Sequence, residues 1–460
     1  MTHNHANYEA RLHFVQCLLR DRFNLENNAE VEPISYDPEC PFKYNNFVYR
    51  VTLPVAITSK HTAQDEGRQP GCDPIPDGTK QLIIRLTNSD AEGMSPKTRV
   101  ENEVALISLA ADALKHFQPP VVPSVYAWGS AAAKSSQGWI IQQLMPGKPV
   151  ENSFESMDLQ QKKAILSQMA KLLKGLQDYQ LPKTITGFEG VTFDEKGRIV
   201  STAMTSVGAG PWLTYEASFK GRLEVALQRA DTNPYIQGWH SNGVRDRLNA
   251  FIKDGVPSQF EALKTAHEKS IIHADFGKHP LFFQSDFFHL NLESQANYSP
   301  LHNLVTTNLL FDPSTQRITG LIDYDFGCVL HPSYEFFRSL SDAGGQFRGW
   351  SSDEASEEEL LRKAKLHGFP SPLPITTEGG KVNWEVAKVW EDELEKLNVK
   401  RPATIEGIDK VADVDTILRA ILPWRVSNSD VLRMQSEKVI MKCKEENEAQ
   451  LAQLLERLGF

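Results

Sequence analysis

A change of hydrophobic period near residue 147 constrains the fold of this 460-residue chain more than any other feature. Before it, short runs of strand formers stand apart: Phe47-Val48-Tyr49-Arg50-Val51-Thr52-Leu53, Leu82-Ile83-Ile84-Arg85-Leu86 and Trp139-Ile140-Ile141-Gln142-Gln143. Branched and aromatic side chains of this kind suit a pleated, half-buried surface. One helix interrupts them, with Ser95 as cap and Pro96 in the first turn, and Val100, Glu103, Val104, Ile107 and Ala111 follow at helical spacing. Beyond Gly147 the helical repeat takes over. Asp158 and Gln161 make a capping-box start, and Ile165, Met169, Leu172 and Leu176 form an apolar stripe behind it. The expected fold class is α+β in two parts, a small β-rich one followed by a larger, mainly helical one.

The flanks read more simply. The first 35 or so residues predict a helix with Leu12, Val15, Leu19 and Phe23 in one stripe, and the polar run from Pro54 to Lys80 predicts a long surface loop. Phe219 to Phe260 predicts further helices, broken at Asp231–Pro234 and at Gly238, and short strands are expected near 309–311 and 318–322. Ser429 to Leu458 predicts one long helix whose charges form a solvated face. A net charge of −10 argues against a nucleic-acid partner, which would demand a basic face. Five scattered cysteines without a CxxC pair argue against a disulfide framework or a zinc site. The N-terminus lacks a signal-peptide pattern and no apolar run is long enough for a membrane span, so a cytoplasmic protein without a membrane partner is expected.

Three pieces carry chemistry. They are Ile271-Ile272-His273-Ala274-Asp275-Phe276, then Thr306-Thr307-Asn308-Leu309-Leu310-Phe311-Asp312, then Gly320-Leu321-Ile322-Asp323-Tyr324-Asp325-Phe326-Gly327. Phosphoryl transfer needs a carboxylate that orients an attacking hydroxyl, and hard oxygen ligands for magnesium on the phosphates. A hairpin across the Asp312-Pro313-Ser314 turn would bring Asn308 and Asp323 to one end.

Taken in order, these pieces resemble the aminoglycoside phosphotransferase and choline kinase family, with its two-lobed protein-kinase-like fold. The wording of Asn45-Asn46-Phe47-Val48-Tyr49, Gly210-Pro211-Trp212, Gly238-Trp239 and Glu335-Phe336 is similar to a fungal branch. The resemblance covers roughly 35–345 and implies an N-lobe over 36–147 and a C-lobe over 148–345, flanked by the helical segment read over 1–35 and a helical extension over 346–460. It implies Asp275 as catalytic base, Asn308 and Asp323 as magnesium ligands, and ATP or GTP as phosphoryl donor to a small-molecule hydroxyl. Arg85 lies where the family has a strand lysine, with Glu103 as its helix partner and Glu101 as rival. Gln143 and Met145 match the hinge that holds the base. His331-Pro332-Ser333-Tyr334-Glu335 is similar to the family's Asp-Pro-x-x-Asp stretch.

Two departures stand against this pattern. Tyr44-Asn45-Asn46-Phe47 takes the place of the phosphate-covering turn without a glycine. Asp275 and Asn308 are separated by an excess segment, Gly277–Leu304, whose removal restores the family spacing. That segment is either an insertion loop or a translated intron: its codons can be written to supply a donor at Gly277-Lys278 and an acceptor at Leu304-Val305. An active kinase is the reading that the three acidic and amide residues favour. A pseudokinase, binding nucleotide without turnover, is the alternative that the insertion and the glycine-poor turn favour.

Overall fold

The computed structural model describes residues 3–23, 29–58, 68–133, 137–276, 308–341, 343–375, 380 and 382–460. The expected excursion of Gly277–Leu304 therefore lies outside the described residues, as do Thr306 and Thr307 of the second motif.

The chain begins with α1 (Tyr8–Phe23), β1 (Glu30–Ile34), β2 (Asn46–Thr52), β3 (Gln81–Thr87), α2 (Arg99–Ala113), β4 (Val125–Gly129) and β5 (Trp139–Gln143). The strands form an antiparallel sheet in the order β1-β2-β3-β5-β4. Successive side chains of a strand point to opposite faces, and β3 uses both. Leu82, Ile84 and Leu86 join Phe47, Tyr49, Val51, Trp139 and Ile141 in a core closed by Val15, Leu19 and Phe23 of α1. Arg85 has the opposite parity, and it meets Glu103 of α2 there.

Three expectations need correction here. The first 35 residues are not all helix, because β1 occupies Glu30–Ile34. Its Pro33 is tolerated because β1 is the edge strand of the sheet. The helix expected from Ser95 starts at Arg99 instead, with Thr98 as N-cap and no side-chain cap bond. Ser95 N–H donates to Thr205 O at 2.8 Å, and that tether holds Ser95–Thr98 in a turn. The C-terminal helix expected over Ser429–Leu458 is also divided.

The second lobe follows with β6 (Lys148–Pro149), α3 (Glu151–Phe154), α4 (Leu159–Asp178), β7 (Gly190–Phe193), β8 (Ile199–Thr202), α5 (Tyr215–Thr232), α6 (Val244–Ala250), α7 (Val256–Phe260) and β9 (Ser270–Ile272). The Asp158 capping box forms in full, and Ile165, Met169, Leu172 and Leu176 are buried. The chain turns at Gly238 with φ of 64°, a conformation suited to glycine. Next come β10 (Leu309–Asp312), β11 (Arg317–Leu321), β12 (Cys328–Leu330), α8 (Ser333–Arg338), α9 (Glu357–His367), α10 (Trp384–Lys396), α11 (Ile408–Ile421), α12 (Trp424–Ser427), α13 (Ser429–Met434) and α14 (Glu437–Arg457). The expected single helix over Ser429–Leu458 is thus two. Gln435 and Ser436 adopt extended backbone, and Gln435 reaches Arg425 O with its side chain. Only one face of α14 is solvated, since Ile440, Cys443, Leu451, Leu454 and Leu455 are buried.

Two antiparallel pairings position the site. Leu309 faces Leu321 across the β10–β11 hairpin, and Ile322 N–H donates to Asn308 O at 2.9 Å. Ile272 faces Cys328 across β9–β12. The ends of these pairs carry Asp275, Asn308 and Asp323. No helix among the described residues is long and apolar enough to cross a membrane.

Candidate active site

Asn308 is the junction of the site. Its Nδ2 donates to Asp275 Oδ2 at 2.9 Å and to Asp275 O at 2.9 Å. Burial pushes the Asp275 carboxyl well above its ordinary range, the charge of Asp323 adds to this, and the Asn308 hydrogen bond opposes it. Asp323 stands on the other side with φ of 64°, and Ala274 has φ of 62°. Left-handed backbone at non-glycine residues is costly and survives only where the surroundings over-determine it.

Those surroundings are visible. Glu335 of α8 accepts His273 N–H at 2.7 Å and Ala274 N–H at 3.0 Å. Ser339 Oγ donates to Glu335 at 2.5 Å and accepts Phe276 N–H at 3.0 Å. The ring of His273 reaches across to Ile322 O at 3.0 Å, which ties the Asp275 segment to the Asp323 segment. Burial pushes His273 down to about 4, so the ring is neutral near pH 7. Burial likewise pushes Glu335 up to about 7, against the three hydrogen bonds that favour its charge.

Arg85 ties the first lobe to the second. Its guanidinium is buried, pairs with Glu103, donates to Asp323 Oδ1 at 2.7 Å and lies 3.7 Å from Asp325 Oδ2. Burial works against its charge, yet Asp323, Glu103 and Asp325 together raise it above its ordinary value. Glu103, which the resemblance implied with Glu101 as rival, is the helix partner, and burial drives its carboxyl up. In Asp325 the effect of burial is outweighed by Arg99 and Arg85, which hold it below its ordinary range.

Glu103, Asp323 and Asp325 bring one carboxylate oxygen each to within 4.8 Å of one another. Hard oxygen donors of this kind suit magnesium. Asp323 engages Arg85 through Oδ1, which leaves Oδ2 to face a ligand, and its side chain is 35% exposed. Asn308 is held next to Asp323 by the Ile322 N–H bond to its backbone oxygen. Within the set, Asp323 is the donor suited to magnesium, since Glu103 and Asp325 are engaged by Arg85 and Arg99.

Three residues of the site were missed by the motif reading. Asn46 donates to Asp325 Oδ2 at 2.5 Å, and Arg99 donates to Asp325 at 3.3 Å, to Asn46 Oδ1 at 3.0 Å and to Asn45 O at 2.5 Å. A turn without glycine is thus clasped by side chains over the acidic cluster. The motif Ile-Asp-Tyr-Asp carries Asp325, and its second acid was the available signal. The hinge residues lie apart from this cluster. Gln143 N–H is taken by Ser124 O at 2.9 Å and its side-chain oxygen by Ser124 N–H at 3.3 Å. Met145 is buried, with its Cβ 3.3 Å from where a side chain on Gly320 would begin.

Comparison with known proteins adds the following. Residues 76–287 match the phosphotransferase enzyme family, a range that includes Arg85, Glu103 and Asp275 and ends within the Gly277–Leu304 segment. No curated protein matches the chain. Among solved structures, a candidate aminoglycoside phosphotransferase from Ralstonia eutropha JMP134 has a TM-score of 0.45 at 14% identity, over 96% of this chain and 98% of that one. The streptomycin–ATP ternary complex of APH(2″)-IIa gives 0.47 at 10% identity, over 98% of each chain. ADP-bound APH(2″)-Ib gives 0.45 at 8% identity, over 98% and 99%. Over residues 76–287, this chain carries the sequence signature of the phosphotransferase enzyme family.

Proposed function

We propose that the protein transfers the γ-phosphoryl group of ATP or GTP to a hydroxyl of a small molecule. The observation that carries this reading is the convergence of Asp275, Asn308 and Asp323 beneath Arg85. Asp275 orients the acceptor hydroxyl and takes its proton as the new O–P bond forms. The bond between the γ-phosphorus and its bridging oxygen breaks, and the nucleoside diphosphate leaves with the electron pair. Asn308 holds the Asp275 carboxylate in position. Arg85 neutralises phosphate charge, and Glu103 fixes the direction of its guanidinium. Met145 offers backbone groups to the base, since the Gln143 N–H is already committed. Magnesium, when bound at Asn308 and Asp323, supplies charge neutralisation on the phosphate oxygens.

The test is Asp323→Asn. Asparagine tolerates the left-handed backbone and preserves the side-chain shape, so the ligand-free protein should stay folded, and the effect of losing the charge pair with Arg85 is read from its own melting temperature. Magnesium-dependent stabilisation by ATP should vanish. A variant that binds MgATP as tightly as the parent would show that Asp323 is not the metal ligand.

The clasp over the site predicts a smaller effect. Asn46→Ala loosens the turn from Asp325, and the Kd for MgATP should rise about tenfold, corresponding to ~1.4 kcal/mol for one hydrogen bond to a charged group. Calorimetric titration checks this, and an unchanged Kd would separate the turn from nucleotide binding.

A further inference from the structure

A cavity of about 450 Å³ opens beside Asp275 and Asp323, between the segment that leads from β1 into β2 and the α12–α13 corner. Its volume lies in the range of ordinary small-molecule sites. Tyr36, Phe42, Tyr44, Phe326 and Trp424 contribute to its lining. Two ring pairs frame it, Tyr36 with Tyr44 at 6.3 Å between centroids and Phe42 stacked on Trp424 at 6.2 Å. The rings give this part of the lining an apolar character.

Of the charges that line the cavity, the proposed function gives Asp275 to the acceptor hydroxyl and Asp323 to the metal, and the others are matched to one another. Glu92 accepts from Lys43 Nζ at 3.1 Å, from Ser429 N–H at 3.1 Å and from Asn428 at 3.3 Å. Asp430 accepts Lys43 N–H at 2.8 Å, lies 3.6 Å from Lys43 Nζ and pairs with Arg433. Neither carboxylate is left for an amine of the acceptor. An ammonium group on the rings would have cation–π attraction but no carboxylate partner, which offsets only part of its lost hydration.

We propose that this cavity holds the acceptor, and that the acceptor is an uncharged alcohol with a flat apolar body rather than a polyamine sugar. The body lies between the aromatic walls and the hydroxyl points to Asp275, where it meets the γ-phosphoryl group as described above. This inference rests on the phosphotransferase reading of the same site.

The test uses the full chain with MgATP and follows ADP formation above the acceptor-free rate. The probes are 2-(naphthalen-2-yl)ethanol and 3-phenylpropan-1-ol, with kanamycin as the polycationic contrast. Both aromatic alcohols should stimulate ADP formation at least tenfold with saturation, and kanamycin should not. Trp424→Ala should raise KM for the naphthyl alcohol about tenfold while kcat stays within about twofold, because the ring contributes binding and no chemistry. Stimulation by kanamycin alone, or by none of the three, overturns the inference but leaves the phosphotransferase reading standing, provided that acceptor-free ADP formation is seen. Loss of kcat with unchanged KM in Trp424→Ala also overturns it. Absence of both MgATP binding and acceptor-free ADP formation overturns the inference and that reading together.

Discussion

Replacing Arg85 with alanine is expected to cost about 3–5 kcal/mol of stability, the penalty typical of a buried ion pair that loses one partner. The guanidinium is 5% exposed and is the shared counter-charge of Glu103, Asp323 and Asp325. Without it, three carboxylates face one another in a largely water-excluded space, with Arg99 left to balance Asp325 alone. Denaturant unfolding should show a lower midpoint with an unchanged slope. Arg85→Ala combined with Glu103→Gln should recover part of the loss, because the second change removes a stranded acid. Arg85→Lys keeps the charge but cannot span Glu103 and Asp323 with a planar fork, so it should fall between parent and alanine. A midpoint unaltered by Arg85→Ala would mean that the pairing in the fold carries no net stability.

Asp275→Asn is expected to reduce turnover by about 100-fold or more while sparing nucleotide affinity. The amide keeps the shape of the side chain but cannot take a proton from the acceptor. Asn308 then meets an oxygen or an amine in place of a carboxylate, so some rotation of the pair is expected, without loss of the β9–β12 and β10–β11 pairings that hold it. Full progress curves for parent and variant with an active alcohol, together with MgATP titrations, separate the two effects. An unchanged rate would remove Asp275 from the chemistry. Loss of nucleotide binding in step with rate would make its role structural.

Much of this site was legible because its residues lie in short motifs with local geometry. The Asp312-Pro313-Ser314 turn closes β10 on β11, and that pairing alone brings Asn308 beside Ile322 and Asp323. Arg85 and Glu103 could be paired through the family resemblance, which left Glu101 as a rival that helical period alone did not remove. The clasp could not be read in this way. Asn46 and Asp325 are 279 residues apart, and Arg99 and Asp325 are 226 apart, so no local period links them. Arg99 in a sequence is an ordinary exposed helix charge until the fold buries it. The cavity is illegible for the same reason, since its lining joins Tyr36 and Tyr44 to Asp275 and Phe326 and to Trp424, far apart in the chain. Among the elements, β1, β4 and the β7–β8 hairpin were not anticipated. They are at most five residues long, and short strands of this kind take their form from pairing partners more than from propensity.

The measurement that bears most directly on the central claim is acceptor-free ADP formation from MgATP by the full chain, run beside Asp275→Asn with magnesium present and with magnesium chelated. Water can stand in for the acceptor hydroxyl, so the parent should release ADP slowly and only with magnesium. Asp275→Asn should fall to the chelated rate while still binding MgATP. Tight MgATP binding by the parent with ADP formation no faster than in the chelated control, whether or not an alcohol is added, would contradict the account and identify a nucleotide-binding module without turnover.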